Sequence, residues 1–215
     1  MGQLETLQMV ADRGDEAPRM PSSELTELIG ASVAESIEIK QQLGAIYDNI
    51  ANAGRILADA FLAGNKAIFF GNGGSAADAQ HLASEFVGRF LAERRPLPAL
   101  ALHTNTSSAT AIVNDYGGEE LFRRQLRAFA KPGDVAVAIS TSGTSVNVVR
   151  AAKEKQRLGI SLIAMTGKND EMLRPYSDEI IAVASERAPR IQEVHILIGH
   201  ILCEWVERRI VQHDR

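Results

Sequence analysis

The 215 residues carry 23 Lys and Arg against 27 Asp and Glu, a formal net charge of −4 that argues against nucleic acid or another polyanion as partner. Hydrophobic residues at 45% and charged residues at 23% are ordinary globular values, and no run of about 18 apolar residues is available to cross a membrane. A lone cysteine, Cys203, excludes a disulfide framework, and no basic-then-apolar N-terminal signal is present, so a soluble, cytoplasmic protein is expected.

Residues 1–22 are polar, carry Gly14, Pro18 and Pro21, and show no sustained period, which predicts a flexible leader. Residues 23–215 are expected to form one domain. Ser22 or Ser23 caps a helical region with Glu24 and Glu27 near its start. Within it Leu28, Ile29, Val33, Ile37, Leu43, Ile46, Ile50, Ile56, Leu57 and Phe61 recur at three- and four-residue spacings, with a break expected near Gly44 or Gly54. Apolar residues on more than one side of this helix predict burial against another subunit as well as its own core.

From residue 65 the texture changes. Short apolar runs at 66–70, 100–102, 135–139, 161–165 and 180–183 read as strands, separated by helical patterns at 75–90, 106–128, 145–158 and about 170–176. A closing helix covers 189–212, where Cys203 sits among Ile201, Leu202, Trp205 and Val206 and reads as a core residue. Strands alternating with helices imply crossover connections. The predicted fold is α/β: a doubly wound, five-stranded parallel sheet flanked by helices, preceded by an N-terminal helical segment.

In such sheets ligands bind outside the carboxyl ends of the strands. Two of these ends carry loops of similar design, Gly71-Asn72-Gly73-Gly74-Ser75 and Ser140-Thr141-Ser142-Gly143-Thr144-Ser145. Each leads from an apolar strand into a helix, glycines allow close backbone approach, and the free amides at a helix start favour an anion. Hydroxyls at Ser140, Thr141, Ser142, Thr144 and Ser145 suit the several acceptor oxygens of a phosphate. There is no G-x-x-x-x-G-K-[ST], which argues against a nucleoside triphosphatase. Ala76 stands where the third glycine of a dinucleotide fingerprint would be, and no acidic residue closes a following strand.

His81 and Glu85 stand four apart on the helix that begins near Ser75, and so on one face. Gln192 and His200, eight apart on the closing helix, differ by about 80° around its axis and can share a broad face, whereas His195 lies about 140° from His200 and serves something else. Gln192 and His200 interrupt an otherwise apolar run, so their polar groups need partners. Two readings stay open: satisfied core hydrogen bonds, or a His, Glu, Gln, His set converging on a borderline divalent ion such as zinc.

Taken together, Gly71-Asn72-Gly73-Gly74-Ser75 with His81 and Glu85, then Asn114-Asp115-Tyr116, the serine loop, and Arg190-Ile191-Gln192-Glu193-Val194-His195 with His200 resemble the phosphoheptose isomerases of the sugar isomerase (SIS) domain proteins, with all blocks in order over roughly residues 35–210. The resemblance implies an SIS fold and an isomerase interconverting D-sedoheptulose 7-phosphate and D-glycero-D-manno-heptose 7-phosphate, towards ADP- or GDP-activated heptoses. It further implies a homotetramer with one Zn2+ per subunit. Metal ligation and catalysis then fall to His81, Glu85, Gln192 and His200; since the proton must be taken from one carbon and delivered to the next, Glu85 is expected as the base and His200 as the acid. Substrate binding falls to Asn72, Gly73, Gly74, Ser75, Glu85, Asn114, Asp115, Ser140, Thr141, Ser142, Ser145 and Gln192. Thr144, Thr104-Asn105-Thr106 and Thr166-Gly167-Lys168-Asn169-Asp170 depart from the usual family pattern, which bears on loop geometry and fine substrate preference.

Two rivals accompany this reading. One is a non-catalytic SIS protein that only binds a sugar phosphate or associates with a replication initiator; in the initiator-associating group the catalytic glutamate and histidine positions are typically replaced, whereas Glu85 and His200 are both present here. The other is an isomerase or epimerase for a different phosphorylated sugar.

Overall fold

The five apolar runs form five strands: β1 (Ala67–Gly71), β2 (Ala99–Ala101), β3 (Val135–Ser140), β4 (Ser161–Thr166) and β5 (Glu179–Ala182). The structure is a computed structural model that describes residues 22–215; the expected leader lies outside the described residues except for Ser22, which opens the first helix. The chain falls into two units, one ending at Glu35 and one running from Ser36 to Arg215.

The described part of the first unit is helical and belongs to α1 (Ser22–Gln41), with Leu25, Leu28, Ile29 and Val33 exposed on it. In the second unit, α1 gives way to a 3₁₀ turn over Gln42–Ile46 and then α2 (Tyr47–Leu62). The break therefore falls at Gly44, as one of the two expected positions. Gly54 stays within the helix, and its lack of a side chain makes room for Trp205: a Cβ there would stand 2.8 Å from the Trp205 ring carbon Cδ1.

All strand pairs are parallel, in the order β2-β1-β3-β4-β5. The chain moves one way from β1 to β2 and the other way from β3 onward, so the topological switch point lies between β1 and β3. Helices α3 (Gly74–Val87) and α8 (Ala188–His213) join α2 on one face, over Phe69, Val137, Ile139 and Met165. On the other face, Phe70, Ala138, Leu162 and Ala164 meet α5 (Leu121–Phe129) and α6 (Val146–Ala152). Both faces are covered, which is why the strand runs are almost wholly apolar rather than alternating.

Three expected helices are shorter or divided. The pattern over 106–128 is α4 (Thr106–Tyr116), a 3₁₀ turn over Gly118–Glu120, and α5, because Gly117 takes φ +88° and ends the first helix. The 145–158 pattern is α6 and then α7 (Lys155–Leu158). Over 170–176 only a single 3₁₀ turn forms, at Arg174–Tyr176, since Pro175 supplies no amide and the Asp170 carbonyl already accepts from Leu173 and Arg174.

His195, set apart from the site by its angle on the helix, is fully buried against the sheet, with Nε2 3.1 Å from the Thr166 carbonyl. Burial lowers its pKa to about 4, opposed by the hydrogen bond to Thr166. The ordinary unfolded value is near 6.5, so between these values the unfolded chain holds more protons than the folded one. This contribution to stability is complete above about pH 6.5 and lost as pH falls towards 4, about 3 kcal/mol in all. Thermal unfolding from pH 7 to pH 4.5 is expected to show a steeper loss of Tm for the wild type than for His195→Gln; parallel curves would show that His195 is not the group responsible.

Candidate functional site

The two loops expected to bind ligand leave the sheet side by side, because β1 and β3 are hydrogen-bonded neighbours at the switch point. Gly71 ends β1 under close approach from both sides: a Cβ would meet the Ile139 carbonyl at 2.6 Å and Ser75 Cβ at 2.8 Å. Gly73, with φ +54°, stands at the N-cap of α3 and carries no side chain to satisfy that helix's first amides. Ser75 is buried beneath the loop, while Asn72, Gly73 and Gly74 are exposed.

In the second loop, the buried Ser140 hydroxyl donates to Ser145 Oγ at 3.1 Å and lies 3.5 Å from Ser142 Oγ. Ser142 Oγ also accepts from the Thr144 amide and hydroxyl, at 3.3 and 3.2 Å. Four hydroxyls thus gather over one turn. Gly143 makes that turn possible with φ +67°, and any Cβ there would stand 1.9 Å from the Asn169 carbonyl oxygen. The backbone around it is fixed by neighbouring strand ends, with the Gly167 amide donating to Thr141 O at 3.1 Å and the Lys168 amide to Ser185 O at 3.0 Å. A cavity of about 570 Å³ opens beside this loop, lined in part by Thr141, Ser142, Lys168, Asn169, Ser185 and Glu186. None of its lining residues belongs to the histidine cluster described next.

Helices α3 and α8 pack side by side, and Leu82 fits against Gly199 so closely that a Cβ on Gly199 would meet it at 2.5 Å. That contact brings His81 and His200 together, Nε2 to Nε2 at 3.0 Å, with Glu85 Oε1 3.3 Å from His81 Nε2. One ligand atom from each of His81, Glu85 and His200 lies within 4.8 Å of the others. Zinc takes such nitrogens and oxygens at about 2.0–2.2 Å, and around a tetrahedral centre they stand about 3.3 Å from each other. The donor set and its spacing therefore fit a borderline divalent ion.

His81, Glu85 and His200, three of the four expected ligands, come together in this way. The Gln192 amide stands over the Gly74 backbone at the start of α3, where a Cβ on Gly74 would meet Gln192 Nε2 at 2.3 Å. Asn114 and Asp115 lie exposed on the last turn of α4, hydrogen-bonded to each other at 2.8 Å rather than to either loop.

Sequence reasoning missed two neighbours. Asn147 forms a reciprocal amide pair with Asn72, at 2.8 and 2.9 Å, and so ties the two loops across the switch point. Only the pairing of β1 with β3 could have revealed it. Asp78 has one buried carboxylate oxygen without a partner among the described residues. Burial raises its pKa, against the lowering effect of His81 three residues on; that spacing on a helix was the available signal.

The SIS domain model matches residues 17–167. A phosphoheptose isomerase of Aquifex aeolicus is 50% identical over 181 residues, which cover 84% of this chain and 95% of that protein. Among solved structures, the phosphoheptose isomerase of Neisseria gonorrhoeae matches with a TM-score of 0.81 and 39% identity, over 86% of this chain and 99% of that one. The phosphoheptose isomerase of Francisella tularensis matches with a TM-score of 0.83 and 33% identity, over 88% and 100%.

Proposed function

The chain belongs to the SIS-domain family and, within it, to the phosphoheptose isomerases, and from that premise we propose that it interconverts D-sedoheptulose 7-phosphate and D-glycero-D-manno-heptose 7-phosphate, the step that leads to activated heptoses. The observation that carries this reading is the convergence of His81 and Glu85, on the helix that starts at a switch-point loop, with His200 of α8. Seven residues of helix, about 10 Å, separate Gly74 from His81, a length comparable to a seven-carbon chain with its phosphate held at the strand ends.

Anchoring falls to Ser140, Thr141, Ser142 and Ser145, with Asn72, Gly73, Gly74 and Ser75 from the first loop. Binding energy at the phosphate then positions the distant carbons C1 and C2. Conversion of the ketose begins when Glu85 removes a proton from C1; the C1–H electron pair becomes the C1=C2 double bond and the carbonyl pair moves onto O2. The O1 hydroxyl then gives up its proton to O2 and closes the C1 carbonyl, while the C1=C2 pair takes a proton at C2 from His200. Asn114, Asp115 and Gln192 orient hydroxyls along the chain.

His81, Glu85 and His200, with Gln192 as a further donor, would hold one zinc ion per subunit. When bound, it polarises the substrate carbonyl and offsets negative charge on the enediolate oxygens. A lone pair engaged with an ion cannot accept a proton. The Glu85 and His200 atoms that trade protons would therefore be ones not engaged with the ion, and His81 is the one of the three with no second task.

The exposed apolar face of Tyr47, Ile201 and Trp205 and the groove of about 440 Å³ beside it support assembly as a homotetramer. No helix among the described residues is long and apolar enough to cross a membrane, in keeping with a cytoplasmic enzyme.

Purified protein incubated with D-sedoheptulose 7-phosphate is expected to yield the aldose by NMR. A protein that binds the ketose phosphate and never converts it would be the non-catalytic regulator instead. The amide clasp supplies a second check. Asn147→Ala leaves both loops exposed and folded but frees Asn72, and is expected to raise KM about 5- to 30-fold, the worth of about 1–2 kcal/mol of lost orientation. An unchanged KM would show that the clasp does not organise the site.

A further inference from the structure

Glu207 is a carboxylate in an improbable place. It lies on α8 seven residues beyond His200, two turns on and within about 20° of the same face. Its residue is 2% exposed, and a buried charge is costly unless fully partnered. The partners are the successive backbone amides of Phe90, Leu91 and Ala92, at 2.9, 2.8 and 2.7 Å, and the guanidinium of Arg94, whose Nε is 3.5 Å away. Burial alone would raise the Glu207 pKa, but these amides and Arg94 outweigh it and hold the carboxyl below its ordinary value.

Arg94 also reaches back to α3. Its guanidinium donates to the carbonyls of Glu85, Phe86 and Gly88 at 2.7, 2.8 and 3.0 Å, satisfying the open end of the helix that carries His81 and Glu85. The segment 88–92 is thus clamped from both sides. Its product is a single placed ring: Phe90 lies 5.4 Å from the His200 imidazole, centroid to centroid, with 30° between the planes. The His81 ring lies 5.2 Å from His200 at 57°. The imidazole is therefore flanked by two rings, and Phe90 limits the plane in which Nε2 can face His81.

We infer that Phe90, held in place by Glu207, is a positioning residue for His200. A purely structural clamp needs the three amides and Arg94 but no aromatic ring at residue 90. Leucine would fill much of the same space without a flat face, whereas tyrosine would keep the face. The inference rests on the proposed role of His200, so its test has one arm that reads the reaction and one that does not.

The variants are Phe90→Leu, Phe90→Tyr and Glu207→Gln in the full chain. Phe90→Leu is expected to lower kcat about tenfold or more, as misplacement of a reacting group by a fraction of an ångström does, with KM for the sugar phosphate within about twofold because the serine loop is untouched. In protein labelled at histidine, the His200 ring signals are expected to be single in the wild type and broadened or doubled in Phe90→Leu. Phe90→Tyr restores both. Glu207→Gln follows Phe90→Leu with a lower Tm; should it fail to fold, the Phe90 variants decide alone.

A kcat within twofold of wild type in Phe90→Leu overturns the inference, as does a ring signal unchanged by it. So does a KM that rises in step with the fall in kcat and is not recovered by Phe90→Tyr, the mark of a loop with only a structural role. A wild type that converts no sugar phosphate defeats the proposed function instead, and the ring signal then decides the positioning claim by itself.

Discussion

Replacing Glu85 by Gln or His200 by Asn is expected to lower kcat about a thousandfold, within the usual range for removal of a general base or acid, while sugar-phosphate binding stays measurable by calorimetry. Glu85→Gln keeps the size of the side chain, His200→Asn gives a smaller one, and each keeps some hydrogen-bonding capacity while removing the ability to trade a proton at neutral pH. Neither site is fully buried: the Glu85 side chain keeps 21% of its exposure, and His200 is half-buried. The fold should therefore survive, with circular dichroism and Tm close to wild type. The serine loop lies on a different helix start and keeps its four hydroxyls, which is why binding and turnover should separate. Wild-type-like kcat in either variant would remove that residue from the chemistry.

Metal removal is expected to have an effect of similar size. Dialysis against a strong chelator should abolish turnover, and stoichiometric zinc should restore it. His81→Ala should lose activity in a way that added zinc does not rescue, since His81 is common to both close pairs, 3.0 Å from His200 and 3.3 Å from Glu85. The Tm should also fall on chelation, by the linkage that makes any ligand of the folded state stabilising. Full activity after exhaustive chelation, with zinc shown absent by elemental analysis, would contradict a metal role for this cluster.

Much of this is legible in the sequence. The strands could be read because both faces of the sheet are covered, so each appears as a short apolar run between glycine- or serine-rich loops. Their expected bounds differ from the observed ones by a residue or so. Helix divisions were less legible. Gly117 ends α4 through a positive φ, but glycine also occurs within helices, as Gly54 does here to make room for Trp205, and residue type alone does not separate the two cases.

The site divides in the same way. His81 and Glu85 share a helix, so their spacing alone placed them on one face. Bringing His200 to them needed the packing of Leu82 on Gly199, a long-range contact that no local period encodes. Gln192, in the same apolar setting as His200, stands with its amide over Gly74, another contact that needed the packing of α8 on α3. Asn147, Phe90 and Glu207 escaped notice for a common reason. Each acts through a partner distant in sequence, and an asparagine, a phenylalanine or a glutamate on a helix or loop carries no motif of its own.

The central claim is that Glu85 takes a proton from C1 of a phosphorylated ketose and His200 delivers a second, solvent-exchangeable proton to C2. Proton NMR of the wild-type protein with D-sedoheptulose 7-phosphate in deuterated water tests it most directly. With His200 exchanging with solvent and delivering to C2, the expected product is the seven-carbon aldose phosphate carrying deuterium at C2. No aldose, or an aldose with only protium at C2, would contradict it.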